Sequence, residues 1–249
     1  MIKLDSITKS YPTGNTALDN VSFEIERGEF VFLIGPSGSG KTTLFRLLIR
    51  DVVPTSGSLF IGDWDLVNLP QKRVHQLRKN IGVVFQDLKL LRDRTIYENI
   101  MFPLEVGNMD TKEARERVEE IIERVGIQEH RDKFPIQLSG GELQRAAIAR
   151  ALAFNPEILL ADEPTGNLDN ATSWEIIKLL QDINESGTTI LMATHNADIV
   201  NSLRKRTLIL EKGKLTKDQG GKKKKEEHHE EKKSEEKEQQ EEKTEAKKE

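Results

Sequence analysis

The feature that most constrains the fold of this chain is a glycine-rich segment at residues 35–42, with the sequence GPSGSGKT. It follows a short apolar run at residues 29–34, which predicts a buried parallel strand, and it precedes residues 43–49, which predict a helix. Strand, glycine-rich turn and helix in this order are the setting in which the pattern G-x-x-x-x-G-K-[ST] binds phosphate groups. We therefore expect this segment to bind a nucleoside triphosphate.

The chemistry of this segment comes from its backbone and from two side chains. Glycines let successive N–H groups converge on phosphate oxygens, and the N-terminus of the following helix adds partial positive charge. Lys41 can reach the β- and γ-phosphates, and the hydroxyl of Thr42 can serve as a ligand of Mg²⁺. The residues predicted to bind the nucleotide here are Gly35, Pro36, Ser37, Gly38, Ser39, Gly40, Lys41, Thr42 and Thr43.

The composition of the chain narrows the class of protein. The net charge of −4 does not suggest nucleic acid as the main partner, and there is no cysteine for disulfides, thiol catalysis or cysteine metal sites. No apolar run approaches the ~18 residues that span a bilayer, and the N-terminus lacks the apolar core of a signal peptide. We therefore expect a soluble or peripheral protein in the cytoplasm, where ATP is available.

Apolar periodicity predicts an α/β architecture. Val21, Phe23 and Ile25 alternate as in a strand with one buried face. Residues 58–61, 81–85, 158–162, 188–193 and 207–210 predict further strands, the last of these being the final one, and residues 111–125 and 173–183 predict helices. Strands that alternate with helices indicate a mostly parallel sheet covered on both faces, here with a helical insert at about residues 87–155.

The last part of the chain differs in kind. Residues 217–249 contain Ala246 as their only member of the hydrophobic set and consist mainly of Lys, Glu and Gln. Such a segment cannot bury apolar area, so we expect a disordered tail after a single folded domain at residues 1–216.

Two adjacent carboxylates, Asp162 and Glu163, close the predicted strand at residues 158–162. The carboxyl end of a strand beside a phosphate loop is where the Asp on the Mg²⁺ side must lie, so Asp162 is predicted to act near the metal. Glu163 leaves the strand one residue later and is predicted to polarise the attacking water as a general base.

Three weaker signals accompany these carboxylates. Ser139, Gly140 and Gly141 open a predicted helix and can receive an anion. Because the chain has one γ-phosphate loop, this second phosphate site is expected to serve the nucleotide of another subunit. Gln86 follows a predicted strand and can approach Mg²⁺ or the attacking water, and His195 follows another and can hydrogen-bond the γ-phosphate. Each signal alone is more typical of an ordinary helix cap or loop.

Together and in this order, the motifs resemble those of the ABC-type ATPase family over about residues 2–215. The matching features are Tyr11, the nucleotide loop at residues 35–42, Gln86, the signature sequence at residues 138–142, the strand and carboxylates at residues 158–163, Asp169 and His195. The resemblance implies ATP and Mg²⁺ as ligands, with Tyr11 stacking on adenine and Thr42, Gln86 and Asp162 around the metal.

The same resemblance implies a fold and an assembly. The fold has a mostly parallel core sheet, an N-terminal antiparallel β part and a short helical subdomain. The assembly is a homodimer in which the signature sequence of one subunit, with Asp169 nearby, completes the site formed by the nucleotide loop of the other. The catalytic residues implied are Lys41, Gln86, Glu163 and His195.

Shorter cues at residues 89–91, 95–99, 164–169 and 191–196 resemble the bacterial cell-division subfamily of this family, the FtsE type. That resemblance implies an integral membrane partner similar to the permease-like FtsX and an indirect link to extracytoplasmic peptidoglycan hydrolases. It also implies a peripheral position at the cytoplasmic face of the cell membrane. In this interpretation Leu88, Leu90 and Leu91 help to form the cleft that receives a cytoplasmic helix of the partner.

Other interpretations stay open at this point. ATPase subunits of lipoprotein-releasing and macrolide-export transporters resemble the chain closely, and amino-acid importers resemble it less well. A soluble ABC protein that acts on DNA or the ribosome is disfavoured, because about fifty residues without sustained heptads join Gln86 to Leu138 and the chain has one nucleotide domain. A binding module without hydrolysis is disfavoured by Glu163 and His195.

Overall fold

The structure, a computed structural model, describes residues 1–220, so most of the predicted tail lies outside the described residues. The strands are β1 (Ile2–Ser10), β2 (Thr16–Ile25), β3 (Phe30–Ile34), β4 (Ser56–Ile61), β5 (Trp64–Asp65), β6 (Ile81–Val84), β7 (Ile158–Asp162), β8 (Thr189–Ala193), β9 (Arg206–Glu211) and β10 (Lys214–Gln219). The helices are α1 (Lys41–Leu48), α2 (Val74–Lys79), α3 (Ile96–Val106), α4 (Thr111–Val125), α5 (Gly140–Ala151), α6 (Asn170–Glu185) and α7 (Ala197–Leu203).

A six-stranded sheet forms the centre of the fold, in the order β10-β9-β3-β8-β7-β6. Neighbouring strands from β9 to β6 are parallel. Every residue of β8 is buried, and β3 and β7 are buried except at their last residues. Burial on both faces explains why these strands are continuous apolar runs rather than alternating ones. The prediction of a mostly parallel sheet is confirmed.

A second sheet, in the order β2-β1-β4-β5, is antiparallel. The predicted alternation is present in β2, where Val21, Phe23 and Ile25 are buried and the residues between them are more exposed. These side chains share one core cluster with Leu44 and Leu47 of α1. The antiparallel sheet therefore helps to hold the helix that follows the nucleotide loop.

Helices α3, α4 and α5 pack on one another and form the predicted helical region. The bounds of α4 agree with the prediction from periodicity. Its first turn is capped by Asp110, whose carboxylate accepts hydrogen bonds from the amides of Lys112 and Glu113. Its end is marked by Gly126, which adopts a φ of 71°. Both ends thus follow from local side-chain and backbone chemistry.

The end of the domain differs from the prediction, because β9 is followed by a further strand, β10, that extends past residue 216. Most residues of β10 are exposed and polar, so apolar periodicity does not reveal it. The strand pairs with β9, and the guanidinium of Arg206 lies 2.7 Å from Asp218 Oδ2 and 3.1 Å from Glu29 Oε2. Strands β1 and β5 and helices α2 and α7 are also absent from the sequence prediction.

Candidate active site

The candidate site lies at the carboxyl edge of the parallel sheet, where four strands end side by side. Leu33 of β3 and Asp162 of β7 both pair with Ala193 of β8, and β6 runs parallel to β7. The loops that follow these strands therefore begin side by side at this edge of the sheet. They carry the predicted site residues Gly35, Gln86, Glu163 and His195.

The glycines of the nucleotide loop are required by close backbone contacts. Gly40 has a φ of 110°, and a Cβ atom there would lie 2.5 Å from the carbonyl oxygen of Ala17. A Cβ atom on Gly35 would lie 2.1 Å from the carbonyl oxygen of Leu210. The loop also contacts the β9–β10 turn, because the carbonyl oxygen of Ser39 accepts a hydrogen bond from the amide of Gly213 at 3.1 Å. Strands β2 and β9 and the β9–β10 turn therefore shape the loop.

The polar groups of the loop have no anionic partner in the described part of the chain. The amides in the first turn of a helix have no intrahelical acceptor. Helix α1 starts after Gly40 with no side-chain cap, so no capping side chain accepts from these amides either. The ammonium of Lys41 donates to the carbonyl oxygens of Gly35 and Pro36 at 2.6 and 3.1 Å. Ser39 Oγ is buried and has no hydrogen-bond partner in the described part of the chain. The loop thus presents a set of donors that suits a polyanion.

Asp162 ends β7 as a half-buried carboxylate. Burial raises the pKa of Asp162, the charge of Glu163 raises it further, and the positive charge of Lys41 acts in the opposite direction. The negative charge of Asp162 is therefore only partly compensated by other groups of the chain. A cation bound at this edge would compensate it more fully.

Glu163 and His195 face each other across the ends of β7 and β8. The backbone of Glu163 has a φ of 49°, and its amide donates to the carbonyl of Ala193 at 2.9 Å. Glu163 Oε2 lies 2.9 Å from His195 Nδ1, although the two atoms are not aligned as a hydrogen bond. The side chain of Glu163 is 12% exposed and that of His195 is 73% exposed. The carboxylate therefore lies inside the site and the imidazole at its mouth.

Gln86 and Tyr11 occupy the periphery of the site. Gln86 is exposed, two residues beyond the end of β6. Tyr11 is half-buried directly after β1, and the ammonium of Lys9 lies 5.2 Å from the centroid of its ring. The contact with Lys9 was not predicted, although residues two apart on a strand share a face.

The signature residues lie apart from the nucleotide loop of the same chain. Ser139 caps α5 and exchanges hydrogen bonds with Glu142. Cβ atoms built on Gly140 and Gly141 would contact Leu168 and Thr172, and no described atom of residues 35–42 lies within 4 Å of either position.

Asp169 lies on the side of the molecule where Gly141 contacts Thr172. It caps α6, and its carboxylate accepts hydrogen bonds from Thr172 N at 3.0 Å and from Thr172 Oγ1 at 2.6 Å. These bonds lower the pKa of Asp169. The signature sequence and the Asp169 loop are therefore neighbours in one subunit, separate from its own nucleotide loop.

Residues 18–166 match the model of a protein family described as ABC transporter, which covers more than half of the chain. The chain belongs to this family. This ABC protein is 48% identical over 219 residues to the cell division ATP-binding protein FtsE of Streptococcus pneumoniae, with 88% of the chain and 95% of the relative covered. It is 49% identical over 220 residues to the FtsE of Mycobacterium tuberculosis, with 88% and 96% covered.

Solved structures support the same assignment. The ABC protein superposes on the ATP-binding cassette MJ0796, solved as a dimer in a post-hydrolysis state with ADP and Pi, with a TM-score of 0.79. The two sequences are 37% identical, and the match covers 88% of this chain and 98% of the cassette. The predicted ABC fold, ATP binding, ATP hydrolysis and similarity to FtsE are therefore confirmed. The roles of individual residues stay predictions.

Two residues of this ABC ATPase that sequence reasoning missed hold the loop after Gln86. The side chain of Arg150 in α5 donates to the carbonyl oxygens of Leu88 and Lys89. Asn99 in α3 is completely buried and binds the backbone of the same loop further along. Apolar periodicity places Asn99 on the buried face of α3 and so signals it, whereas no local pattern signals Arg150.

Proposed function

We propose that this ABC ATPase hydrolyses ATP at sites shared between two copies of the chain and uses the resulting closure to drive a membrane partner of the FtsX type. The observation that carries the proposal is the convergence of Lys41, Asp162, Glu163 and His195 on one edge of the sheet. These are a phosphate-binding cation, a metal-side carboxylate, a general base and a polar group for the γ-phosphate, and ATP hydrolysis needs all of them.

The loop at residues 35–42 binds the phosphates of ATP. The amides of the first turn of α1 and of the glycine-rich loop donate to phosphate oxygens, and Lys41 exchanges its contacts with Gly35 and Pro36 for the β- and γ-phosphates. Because these contacts of Lys41 are to carbonyl oxygens of its own loop, their loss is compensated by stronger charge-assisted bonds to the phosphates. Tyr11 stacks on adenine.

The residues at this edge fit Mg²⁺. Thr42, Gln86 and Asp162 offer a hydroxyl, an amide oxygen and a carboxylate, which are the oxygen ligands that this ion prefers. Residues 1–220 contain no group of three or more His, Cys, Asp or Glu that could hold a metal. When bound, Mg²⁺ neutralises charge on the β- and γ-phosphates.

Glu163 acts as the general base. Its buried carboxylate accepts a proton from the water that attacks the γ-phosphorus in line with the leaving ADP oxygen, and the products are ADP and phosphate. His195 leaves its contact with Glu163 and donates a hydrogen bond to the γ-phosphate. The 73% exposure of the imidazole leaves room for that movement.

The second half of each site comes from the other subunit. Within residues 1–220, no atom of the nucleotide loop lies within 4 Å of a Cβ position on Gly140 or Gly141, and the similar cassette MJ0796 is a dimer with ADP and Pi. We therefore place Ser139, Gly140 and Gly141 of one subunit on the γ-phosphate held by the other, with Asp169 beside the interface. A monomer should then bind ATP and hydrolyse it poorly.

The helical region supplies the surface for the membrane partner. Leu88 and Leu90 are partly buried and pack against the core, so they support this surface more than they form it. Four larger apolar side chains of the region are exposed: Phe102 at 39%, Val106 at 66%, Phe134 at 42% and Ile136 at 91%. A cavity of about 550 Å³ between α3 and α4 adds a recess. Several exposed apolar side chains in one helical region are typical of a surface that binds another protein.

The names of the relatives point to the biology. The FtsE proteins that the chain resembles are cell division proteins, and we infer the same process here, with peptidoglycan hydrolases acting on the far side of the membrane. No helix within residues 1–220 is long and apolar enough to cross a membrane. From the similarity to the FtsE proteins, we propose a peripheral position at the cytoplasmic face, through the FtsX-type partner.

The test combines a trapped state with partner identification. Glu163→Gln should abolish turnover and accumulate an ATP-bound dimer by size-exclusion chromatography, and Glu163→Gln combined with Lys41→Ala should stay monomeric as the matched control. Tagged Glu163→Gln protein with ATP should co-purify from membranes with a four-span permease that has a large extracytoplasmic loop. Full turnover by Glu163→Gln would refute the role of this carboxylate. Recovery of a lipoprotein or drug exporter would refute the cell-division assignment and keep the ATPase chemistry.

A further inference from the structure

We propose that Arg150 is a positioning residue that ties the loop carrying Gln86 to the helix that begins with the signature sequence. The proposal rests on the roles given above to Gln86 and to Ser139–Gly141. It adds that these two parts of the molecule change position together, because one guanidinium in α5 connects them.

The loop after Gln86 has an unfavourable backbone conformation at two successive residues. Leu88 and Lys89 have φ values of 58° and 51°, although neither is glycine. Two successive non-glycine residues in the left-handed region are unfavourable and persist only where the surroundings stabilise them. Their local bonds are short-range ones, from Leu88 N to Phe85 O at 2.9 Å and from Lys89 N to Asp87 O at 2.6 Å.

The stabilising contact comes from Arg150. Its Nη1 donates to the carbonyl oxygen of Lys89, and its Nη2 donates to that of Leu88 at 2.5 Å. Burial lowers the pKa of Arg150, and no carboxylate forms an ion pair with it in the described part of the chain. The half-buried charge of Arg150 is therefore compensated by the carbonyl dipoles of the two left-handed residues, so that loss of the contact would leave it poorly solvated.

The far end of the loop is held separately by Asn99. Its Oδ1 accepts from Leu91 N at 2.7 Å, and its Nδ2 donates to the carbonyl oxygens of Leu91, Arg94 and Thr95 at 2.8 to 3.2 Å. Because α3 anchors this end, the segment between Gln86 and Leu91 can shift as a unit only if its contact with Arg150 shifts too. Arg150 is therefore the point at which α5 acts on Gln86.

Helix α5 connects this point to the signature sequence. Gly140 and Arg150 lie ten residues apart on a regular helix, a distance of ~15 Å at 1.5 Å per residue. A helix of that length moves as a rigid rod. When the N-terminus of α5 engages the nucleotide of the other subunit, its C-terminal part moves Leu88 and Lys89, and Gln86 with them.

The test compares Arg150→Gln with Arg117→Gln in the full chain. Arg117 is a matched control because it also donates to two successive carbonyl oxygens, those of Leu152 and Ala153, but it does not touch the Gln86 loop. Arg150→Gln should lower kcat for ATP at least tenfold and change the Kd for ATP less than twofold. Arg117→Gln should change kcat less than twofold. Equal losses of kcat in the two variants would show a merely structural role and overturn the proposal.

Hydrogen exchange provides a readout that does not depend on turnover. In Arg150→Gln, amides of residues 86–92 should exchange at least tenfold faster, and ATP should no longer protect them together with residues 139–143. Unchanged exchange at residues 86–92 would overturn the proposal. If Arg150→Gln does not fold, Arg150→Lys, which keeps the charge and loses the two-pronged geometry, is measured in its place. Unchanged turnover in Gln86→Ala would instead remove the proposed role of Gln86 and leave the Arg150 contact standing.

Discussion

Two helices of this ABC ATPase begin beside glycines, and their first turns are completed in opposite ways. Helix α1 begins after Gly40 with no side-chain cap. Helix α5 begins after Ser139, whose hydroxyl and amide exchange hydrogen bonds with Glu142. The carboxylates beside the two helices also differ. The pKa of Asp162, near α1, is raised by burial, whereas the pKa of Glu142, in α5, is lowered by the hydrogen bond from Ser139 N.

The difference separates a site that needs its ligand from a surface that is stable without one. The loop before α1 leaves donors and a partly buried carboxylate that only phosphates and a cation satisfy. The start of α5 is already satisfied by its own side chains, so it can face solvent until another subunit arrives. ATP binding should therefore be a property of one chain and hydrolysis a property of two.

The largest effect is expected when the nucleotide loop or the start of α5 is disabled by a substitution, which tests whether hydrolysis needs both subunits. Lys41→Ala and Ser139→Arg should each lower ATP turnover by about two orders of magnitude, because each removes one half of every site. A mixture of the two variants should recover activity, since a mixed dimer contains one site with both halves intact. The measurement is steady-state phosphate release against mixing ratio.

The double variant, Lys41→Ala with Ser139→Arg on one chain, is the control for that mixture. Combined with either single variant, it leaves no intact site in any dimer, so no activity should return. Recovery in these control mixtures, or none in the first mixture, would contradict a site shared between subunits.

The glycines before α1 provide a second test, on the shape of the loop. Alanine is strained at both Gly38 and Gly40, where φ is 76° and 110°. Only at Gly40 would the new Cβ atom meet other atoms, 2.5 Å from Ala17 O and 2.8 Å from Leu18 Cδ2. Gly40→Ala should therefore lower the free energy of unfolding by about 3 kcal/mol and Gly38→Ala by about 1 kcal/mol. Urea denaturation without nucleotide measures both, and equal losses would mean that the contact with Ala17 does not shape the loop.

The predictability of these regions from sequence follows the range of their interactions. The nucleotide loop, β7 and α4 were predicted well because their signals lie within a few residues: a phosphate-loop pattern, a continuous apolar run and a helical apolar period. The order of the parallel strands then brought Glu163 and His195 to one edge, as expected for loops that follow neighbouring parallel strands.

What the sequence did not predict depends on partners that are distant along the chain. The guanidinium of Arg150 binds Leu88 at a separation of 62 residues, and that of Arg206 binds Glu29 at a separation of 177. No periodicity encodes such contacts. Strand β10 was missed for this reason, since its polar residues are stabilised by Arg206 and by pairing with β9 rather than by an apolar face.

The carboxylate beside α1 gives a third test, on charge. The pKa of Asp162 is raised, so the folded protein holds that proton more tightly than the unfolded chain does. Stability is therefore lost as the pH rises from the usual carboxylate range through the raised pKa, and the full cost is present at neutral pH. Asp162→Asn should raise the Tm of the nucleotide-free protein by about 2 °C at neutral pH, and the difference should vanish below about pH 4, where the carboxyl is protonated in both states. The control is Asp169→Asn, at a carboxylate with a lowered pKa, which should show no such gain. A lower Tm for Asp162→Asn at neutral pH would contradict the idea that this edge is left uncompensated.

The carboxylate beside α5 should respond in the opposite direction and by the smallest amount. The pKa of Glu142 is lowered, so its contribution to stability is present at neutral pH and is lost as the pH falls through the lowered value. Gln also accepts the hydrogen bond of a capping box, so Glu142→Gln should cost no more than about 0.5 kcal/mol at neutral pH. The difference between the two proteins should shrink between roughly pH 5 and pH 3, because protonation removes the advantage of the charge in the wild type. Denaturation curves across that range decide the point. A gap that stays constant would show that the charge of Glu142 does not stabilise α5, and that the two helix starts differ only in their caps.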